Sequence, residues 1–338
     1  MSENTTGILL INLGSPKKLT KKSVREYLKV FLSDDYVLDL PKILQQIILR
    51  VFILPFRPKK TLEAYELICT PEASPLIIST ESIANKLSLK TGWDVDYAMR
   101  YEDPSIENAL LNFKNKGIYK IIVISLYPHN ALATTITTEM ETRIVANKLS
   151  EDFELVFTKP FFDNEIYINA IANTIKPCLE KASFDKIVFS YHGIPKRQAK
   201  KTDETGVHCF SDSNCCEIAG DGSKDCYRSH TRIASDLTAK KLGLSDDQWE
   251  VAYQSRIGPG WLTPFTDRRL AELPEEGNDN IAVLCPSFIS DCLETLEEID
   301  IRGRKTFFDA GGKNMTYIPC LNDSEDTINL LENLVKSA

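Results

Sequence analysis

The chain has 338 residues, enough for two domains of ordinary size, and 43% hydrophobic with 26% charged residues excludes a disordered or low-complexity chain. Its formal charge of −8, from 48 acidic against 40 basic residues, argues against a nucleic-acid partner. No apolar run reaches the roughly 18 residues of a membrane span, and the N-terminus lacks the cationic lead of a signal peptide, so a cytoplasmic location is expected. In that compartment nine cysteines, four of them close together, point to metal rather than to disulfides.

In chain order, residues 7–13 read as a first strand, followed by Asn12-Leu13-Gly14-Ser15-Pro16. That lone glycine is no dinucleotide fingerprint, because no G-x-G-x-x-G follows. A helix is predicted over 22–31. Residues 41–56, PKILQQIILRVFILPF, form an apolar helix with Arg57, Lys59 and Lys60 directly after it. Its apolar surface is wider than a core stripe, so two readings are open: a helix lying in a membrane interface, or one packed between a sheet and a neighbour. Strands then follow at 94–100, 119–127 and 153–158, with helices at 105–113 and 135–149.

The second half repeats the pattern. A helix at 164–181 leads to a strand at 186–191, which ends in Ser190-Tyr191-His192-Gly193. A histidine at a strand end can face a cleft, where imidazole can take a proton or bind a divalent metal; taken alone it reads sooner as a loop cap. Next come Cys209, Cys215, Cys216 and Cys226 in a polar segment, a donor set that suits an iron–sulfur cluster or zinc, with His208 as a further candidate for the latter. After a helix at 230–242 and a strand at 250–254, a rigid Gly/Pro-rich loop presents Trp261, a flat apolar wall for a flat ligand or a cover for its own loop. A strand at 281–285 runs into Pro286–Phe288 and a predicted α-helix over 291–300. There Glu294 and Glu298 share a face, and burying that face would raise a carboxylate pKa. A strand at 315–319 and a helix at 324–335 close the chain; that helix could pack on either half and is counted with the second.

Alternating strands and helices, with runs such as IIVISLY apolar on both faces, define an α/β fold with covered parallel sheets. Two sets of four strands predict two similar Rossmann-like domains, 1–160 and 161–338. Ligands in such sheets bind at the carboxyl ends of the strands, where the candidate residues fall.

Together these stretches resemble the ferrochelatases. The matching pieces are INLGSP, EYLKVFLSDDYVLDLP, RPKK with EAYELI, SPL, MRYEDPSIENAL, LYP, SYHGIPKR, YQSRIGP with WL, PSFISDCLETLEEI, AGG and YIPCLN, in family order over nearly the whole chain. The resemblance implies two four-stranded domains flanking a cleft, and a lyase that inserts ferrous iron into protoporphyrin IX to make protohaem. It assigns proton and metal handling to His192 and Glu294, with Glu298 one turn deeper, and substrate contacts to Leu13, Arg100, Tyr101, Tyr127, Trp261, Phe288 and Asp291. Leu13, where coproporphyrin-using relatives tend to have tyrosine, and the apolar 41–56 helix favour the protoporphyrin branch with peripheral contact on the inner face of the cytoplasmic membrane. Coproporphyrin or another tetrapyrrole with another metal, and a non-catalytic porphyrin or haem carrier, are the competing readings. A homodimer is compatible with the sequence.

Three departures from the family pattern stand out. Tyr127-Pro128-His129-Asn130-Ala131 replaces the usual Y-P-Q run, and Ala73 stands for the glycine before S-P-L. A cysteine-rich insertion, 203–226, replaces a short turn before Tyr227. Some microbial ferrochelatases carry a [2Fe–2S] cluster on such a segment, which makes the cluster the first expectation for the four cysteines and zinc the second.

Overall fold

The computed structural model describes residues 6–212, 214–217 and 220–338; parts of the expected cysteine-rich insertion, at 213, 218 and 219, lie outside the described residues. The chain divides into two compact units. One runs up to Tyr127 and takes in Leu132–Lys159 and Asn322–Ala338; the other comprises Pro128–Ala131 and Pro160–Leu321.

The first unit begins with β1 (Thr6–Asn12), α1 (Lys21–Leu32), α2 (Lys42–Ile47), α3 (Arg57–Glu66) and α4 (Pro75–Thr91). It continues through β2 (Asp94–Met99), α5 (Ile106–Asn115), β3 (Lys120–Ser125), α6 (Thr137–Leu149) and β4 (Glu154–Phe157). The four strands form a parallel sheet in the order β2-β1-β3-β4. The central strands β1 and β3 are buried on both faces, as their unbroken apolar runs require. On one side Leu9, Ile11, Ile121 and Val123 pack with Leu110 and Phe113 of α5.

In the second unit come α7 (Glu165–Lys181), β5 (Lys186–His192), α8 (Lys196–Lys201), α9 (Tyr227–Leu242), β6 (Trp249–Gln254) and α10 (Thr266–Glu272). Then follow β7 (Asn280–Leu284), a π-helix (Leu293–Gly303), α11 (Arg304–Asp309) and β8 (Asn314–Ile318). Its parallel sheet, β6-β5-β7-β8, repeats the order of the first. The last helix, α12 (Glu325–Lys336), groups with the first unit rather than with the second, where the sequence had counted it. It packs on α4, with Lys86 bonded to Asp323 at 2.5 Å and Lys90 to Glu325 at 2.8 Å.

All eight expected strands are present within two residues of their predicted limits. Helices differ more. The segment 41–56 is not one α-helix: α2 passes into π winding over Ile48–Ile53. The expected α-helix at 291–300 is π-helical throughout. A hydrophobic pattern reports which face is buried but only weakly how tightly the backbone is wound. The helices α3 and α4 had no clear signal; Pro58 and Pro75 sit in their first turns, where a missing N–H costs nothing.

Candidate active site

In the second unit the informative side chains stand where β5, β6 and β7 end. His192 is the last residue of β5, partly exposed, and its Nδ1 lies 2.7 Å from the carbonyl oxygen of Gly193. A carbonyl only accepts, so Nδ1 carries the proton and Nε2 keeps its lone pair for a proton or a metal. The backbone of His192 is held as firmly as its ring. Its N–H donates to Ser287 Oγ at 3.1 Å, and its carbonyl accepts from the Tyr227 hydroxyl at 2.8 Å. Gly193 has no alternative: a Cβ would come within 2.8 Å of the Gln254 carbonyl oxygen and 3.4 Å of the Trp261 ring.

That contact also locates Trp261. The loop after β6 folds over the loop after β5, Lys196 N–H donating to the Gly260 carbonyl at 2.8 Å and Leu262 N–H to that of Ile194 at 3.0 Å. Trp261 thus stands beside Gly193, next to His192, and Phe288 presents its ring edge-on to His192 at 6.3 Å. The structure brings together these three residues, which the sequence had singled out separately.

Glu298 lies on the π-helix. One carboxylate oxygen accepts the Ser255 N–H at 2.7 Å and the other the Ser255 hydroxyl at 2.5 Å. Burial raises its pKa above the usual carboxylate range and the nearby charge of Glu294 adds to this, while the Ser255 bond, Arg302 and His192 pull it down. Glu298 thus senses the charges of both His192 and Glu294. Gln254, at the end of β6, fixes the π-helix: its Nε2 donates to the Glu294 carbonyl at 2.7 Å, and its Oε1 accepts from Ser190 at 2.7 Å. Sequence reasoning did not single out Gln254 or Ser255, though both stand in the YQSRIGP run that carries part of the resemblance.

Asp291 is buried, and its Oδ1 accepts from Tyr317 at 2.5 Å, Thr295 at 3.0 Å and the Cys320 N–H at 3.4 Å. It ties the start of the π-helix to the end of β8.

In the first unit Arg100 and Tyr101 follow β2. Both converge on Asp34, whose Oδ2 accepts from Arg100 at 2.7 Å, Tyr101 at 2.8 Å and Thr137 at 2.6 Å. Tyr101 is buried beneath the Arg100 guanidinium, 4.6 Å from its ring centroid. Removing one partner of so buried an ion pair costs ~3–5 kcal/mol. Asp34 was not singled out from the sequence, though it stands in the SDD run that carries part of the resemblance. Leu13 packs against the cluster of Val24, Tyr27 and Tyr101, and Tyr127 is buried.

The four cysteines gather in the second unit. Cys215 and Cys216 sulfurs are 4.0 Å apart, and the Cys226 thiol is hydrogen-bonded to both Cys216 and Cys209, which lowers its pKa to about 6. Burial, with the neighbouring sulfurs, pushes Cys209 up to about 12. Cys215 Sγ accepts from the Phe210 N–H at 3.4 Å and from Arg228 at 3.7 Å. Asp203 shapes the turn, accepting the N–H groups of His208 and Cys209 at 2.9 and 2.7 Å. Among the described residues no cysteine is joined in a disulfide, and no three His, Cys, Asp or Glu side chains are preset around a metal ion.

Two four-stranded parallel sheets, each carrying its informative residues beyond the strand ends, define a chelatase-type fold. The solved SirB from Bacillus subtilis with Fe3+ has the same fold, with a TM-score of 0.52 at 12% identity over 98% of this chain and 95% of that one. A ferrochelatase family model matches residues 5–338. The chain is 40% identical to the ferrochelatase of Stutzerimonas stutzeri (strain A1501) over 98% of its own length and 97% of the relative's, and 38% identical to that of Ectopseudomonas mendocina (strain ymp) over the same shares. The chain belongs to the ferrochelatase family, lyases that insert iron into porphyrin for haem biosynthesis.

Proposed function

We propose that the enzyme inserts ferrous iron into protoporphyrin IX, with His192, Glu294 and Glu298 as its proton- and metal-handling residues. Insertion exchanges Fe2+ for two pyrrole protons, so the site must accept protons beside an apolar wall. The observation that supports the reading most is the His192 ring, its Nε2 left without a proton, close enough to Glu298 to act on its charge together with Glu294. Phe288 stands edge-on to that ring at 6.3 Å, and Trp261 beside the adjoining Gly193. His192 takes the pyrrole protons; the carboxylates, one of them biased toward protonation, pass protons or the incoming cation along a polar line. Leu13, Arg100, Tyr101, Tyr127, Phe288 and Asp291 act on the porphyrin directly or by holding the residues that do. His192→Ala and Glu294→Gln are expected to lower insertion at least a hundredfold while porphyrin binding, read by fluorescence quenching, survives. Substantial insertion by either variant refutes the assignment, and equal or faster turnover of coproporphyrin III refutes the substrate.

The four cysteines suit a [2Fe–2S] cluster. Their thiols are already drawn together, one is biased toward the thiolate, and N–H donors aim at another, as a negatively charged sulfur requires. When bound, such a cluster supplies cross-linking and one-electron redox chemistry. Visible absorption of anaerobically purified protein tests this; a colourless chain with one zinc per chain makes the site a zinc site.

The α2 segment supports peripheral membrane contact. Leu49 and Leu54 pack into the core, whereas Ile43, Ile47, Val51, Phe52 and Phe56 are exposed, Ile43 to 79%. Arg57, Lys59 and Lys60 follow at once, suited to anionic head groups. No described helix is long and apolar enough to cross a membrane. An apolar face with basic neighbours fits attachment to the inner face of the cytoplasmic membrane.

A further inference from the structure

The first turn of α9 touches the thiol segment on one side and the candidate base on the other. Cys226 caps the helix, its carbonyl accepting the His230 N–H at 3.0 Å. The next three residues divide their contacts. Arg228 donates to Cys215 Sγ at 3.7 Å, and Ser229 to the Cys216 carbonyl at 3.4 Å. Tyr227 turns the other way: its hydroxyl donates to the His192 carbonyl at 2.8 Å and lies 2.9 Å from Ser287 Oγ, which itself accepts the His192 N–H. These bonds close a ring around the backbone of His192.

Further along, α9 is fastened independently of the thiols. Ser235 bonds the hydroxyl of Tyr191 on β5 at 2.8 Å, and Thr231 that of Tyr253 on β6 at 2.9 Å. The body of the helix is therefore fixed to the sheet, and its first turn is what the thiol segment can move.

We infer that Tyr227 is a positioning residue through which the metal-loaded thiol segment holds His192 in its productive place. This rests on the reading of Cys209, Cys215, Cys216 and Cys226 as a metal site. Loading would tie the four sulfurs, already close to one another, to one metal centre and so fix Cys226, the first turn of α9 and the Tyr227 hydroxyl. Loss of metal frees that turn, and His192 loses its carbonyl partner without losing its own side chain. Small displacements of a proton acceptor cost rate far more than binding, because the near-attack geometry is lost while the apolar walls stay.

A double-mutant cycle tests the coupling. Tyr227→Phe keeps the ring and removes only the hydroxyl. It is expected to retain full metal content and visible absorption, with kcat down roughly tenfold and the porphyrin KM changed less than twofold. Cys226→Ser is expected to lose the metal and about the same factor in kcat, and the double variant to be no worse than the poorer single one. If Cys226→Ser does not accumulate as folded protein, chelator-stripped wild type and chelator-stripped Tyr227→Phe complete the same cycle. Wild-type kcat in Tyr227→Phe, or losses that multiply, overturn the coupling. Metal analysis separates that from failure of the underlying reading: a chain with neither iron nor zinc has no metal site, and the coupling falls with it.

Discussion

His129 offers the most direct test of how burial sets charge in this protein. It is 2% exposed, and among the described residues neither ring nitrogen has a hydrogen-bond partner. Tyr191, Tyr227 and Tyr167 present their rings edge-on at 5.2, 5.9 and 6.5 Å, and Phe162 stacks at 6.4 Å. Burial holds the imidazole neutral well below its ordinary pKa of 6.5, and nearby His230 adds to the effect. The unfolded chain binds a proton near pH 6.5 and the folded chain only at markedly lower pH. The neutral ring is therefore fully tolerated above pH 6.5, and stability is lost progressively as pH falls below it. Each pH unit in that window costs ~1.4 kcal/mol, so a fall from pH 6.5 to 5.0 removes up to ~2 kcal/mol on account of His129 alone. His129→Gln, the residue usual at this place in the family, cannot titrate and should flatten that part of the slope. Urea unfolding at half-unit steps from pH 5.0 to 8.0, followed by the fluorescence of Trp249 and Trp261 in the same unit, gives both curves. His230, whose pKa is also lowered by burial, titrates in both proteins and cancels in the difference. Parallel curves below pH 6.5 would refute the reasoning, whatever the absolute stability of the variant.

Other outcomes follow from named contacts. Ser255→Ala removes a 2.5 Å bond to Glu298, of a kind worth ~1.5–3 kcal/mol when the acceptor is charged, so the acid limb of the insertion pH profile should move to higher pH. Ile47, Val51 and Phe52 changed together to serine should release the protein from anionic liposomes with the thermal transition kept within a few degrees; a collapsed transition would make those side chains core.

The strands were legible because their signal is local. A run such as IIVISLY is apolar on both faces only if both faces are covered, and β3 is. His192, Trp261, Phe288 and the glutamates were singled out on a local signal too, since each lies at a strand end or in the segment that follows one. Winding was not legible: α- and π-helices both bury Thr295 and Ile299, and only hydrogen-bond geometry separates them. Nor were the partners that act across the sequence. Nothing near Asp34 announces that Arg100, Tyr101 and Thr137 will converge on it, because that arises from the parallel crossovers of the sheet. His129 was visible as a departure from the family pattern, but its aromatic box draws on residues 33 to 98 positions away.

The carboxylates divide by what their oxygens already hold. Asp291 is buried and the Asp34 side chain is 7% exposed, and each directs one oxygen to three donors, which leaves that oxygen little capacity for a substrate. What they hold is the Arg100–Tyr101 pair in the first unit and the start of the π-helix in the second. Glu298 differs in kind. It is bound by a single residue, Ser255, stands in the field of another carboxylate and an imidazole, and is pushed toward the protonated form by burial. A carboxylate balanced between charged and neutral forms can give up or take a proton at little cost, whereas one saturated with donors cannot. Glu298 is thus a carboxylate whose surroundings favour taking up a proton, and the two aspartates each tie together contacts within their own unit.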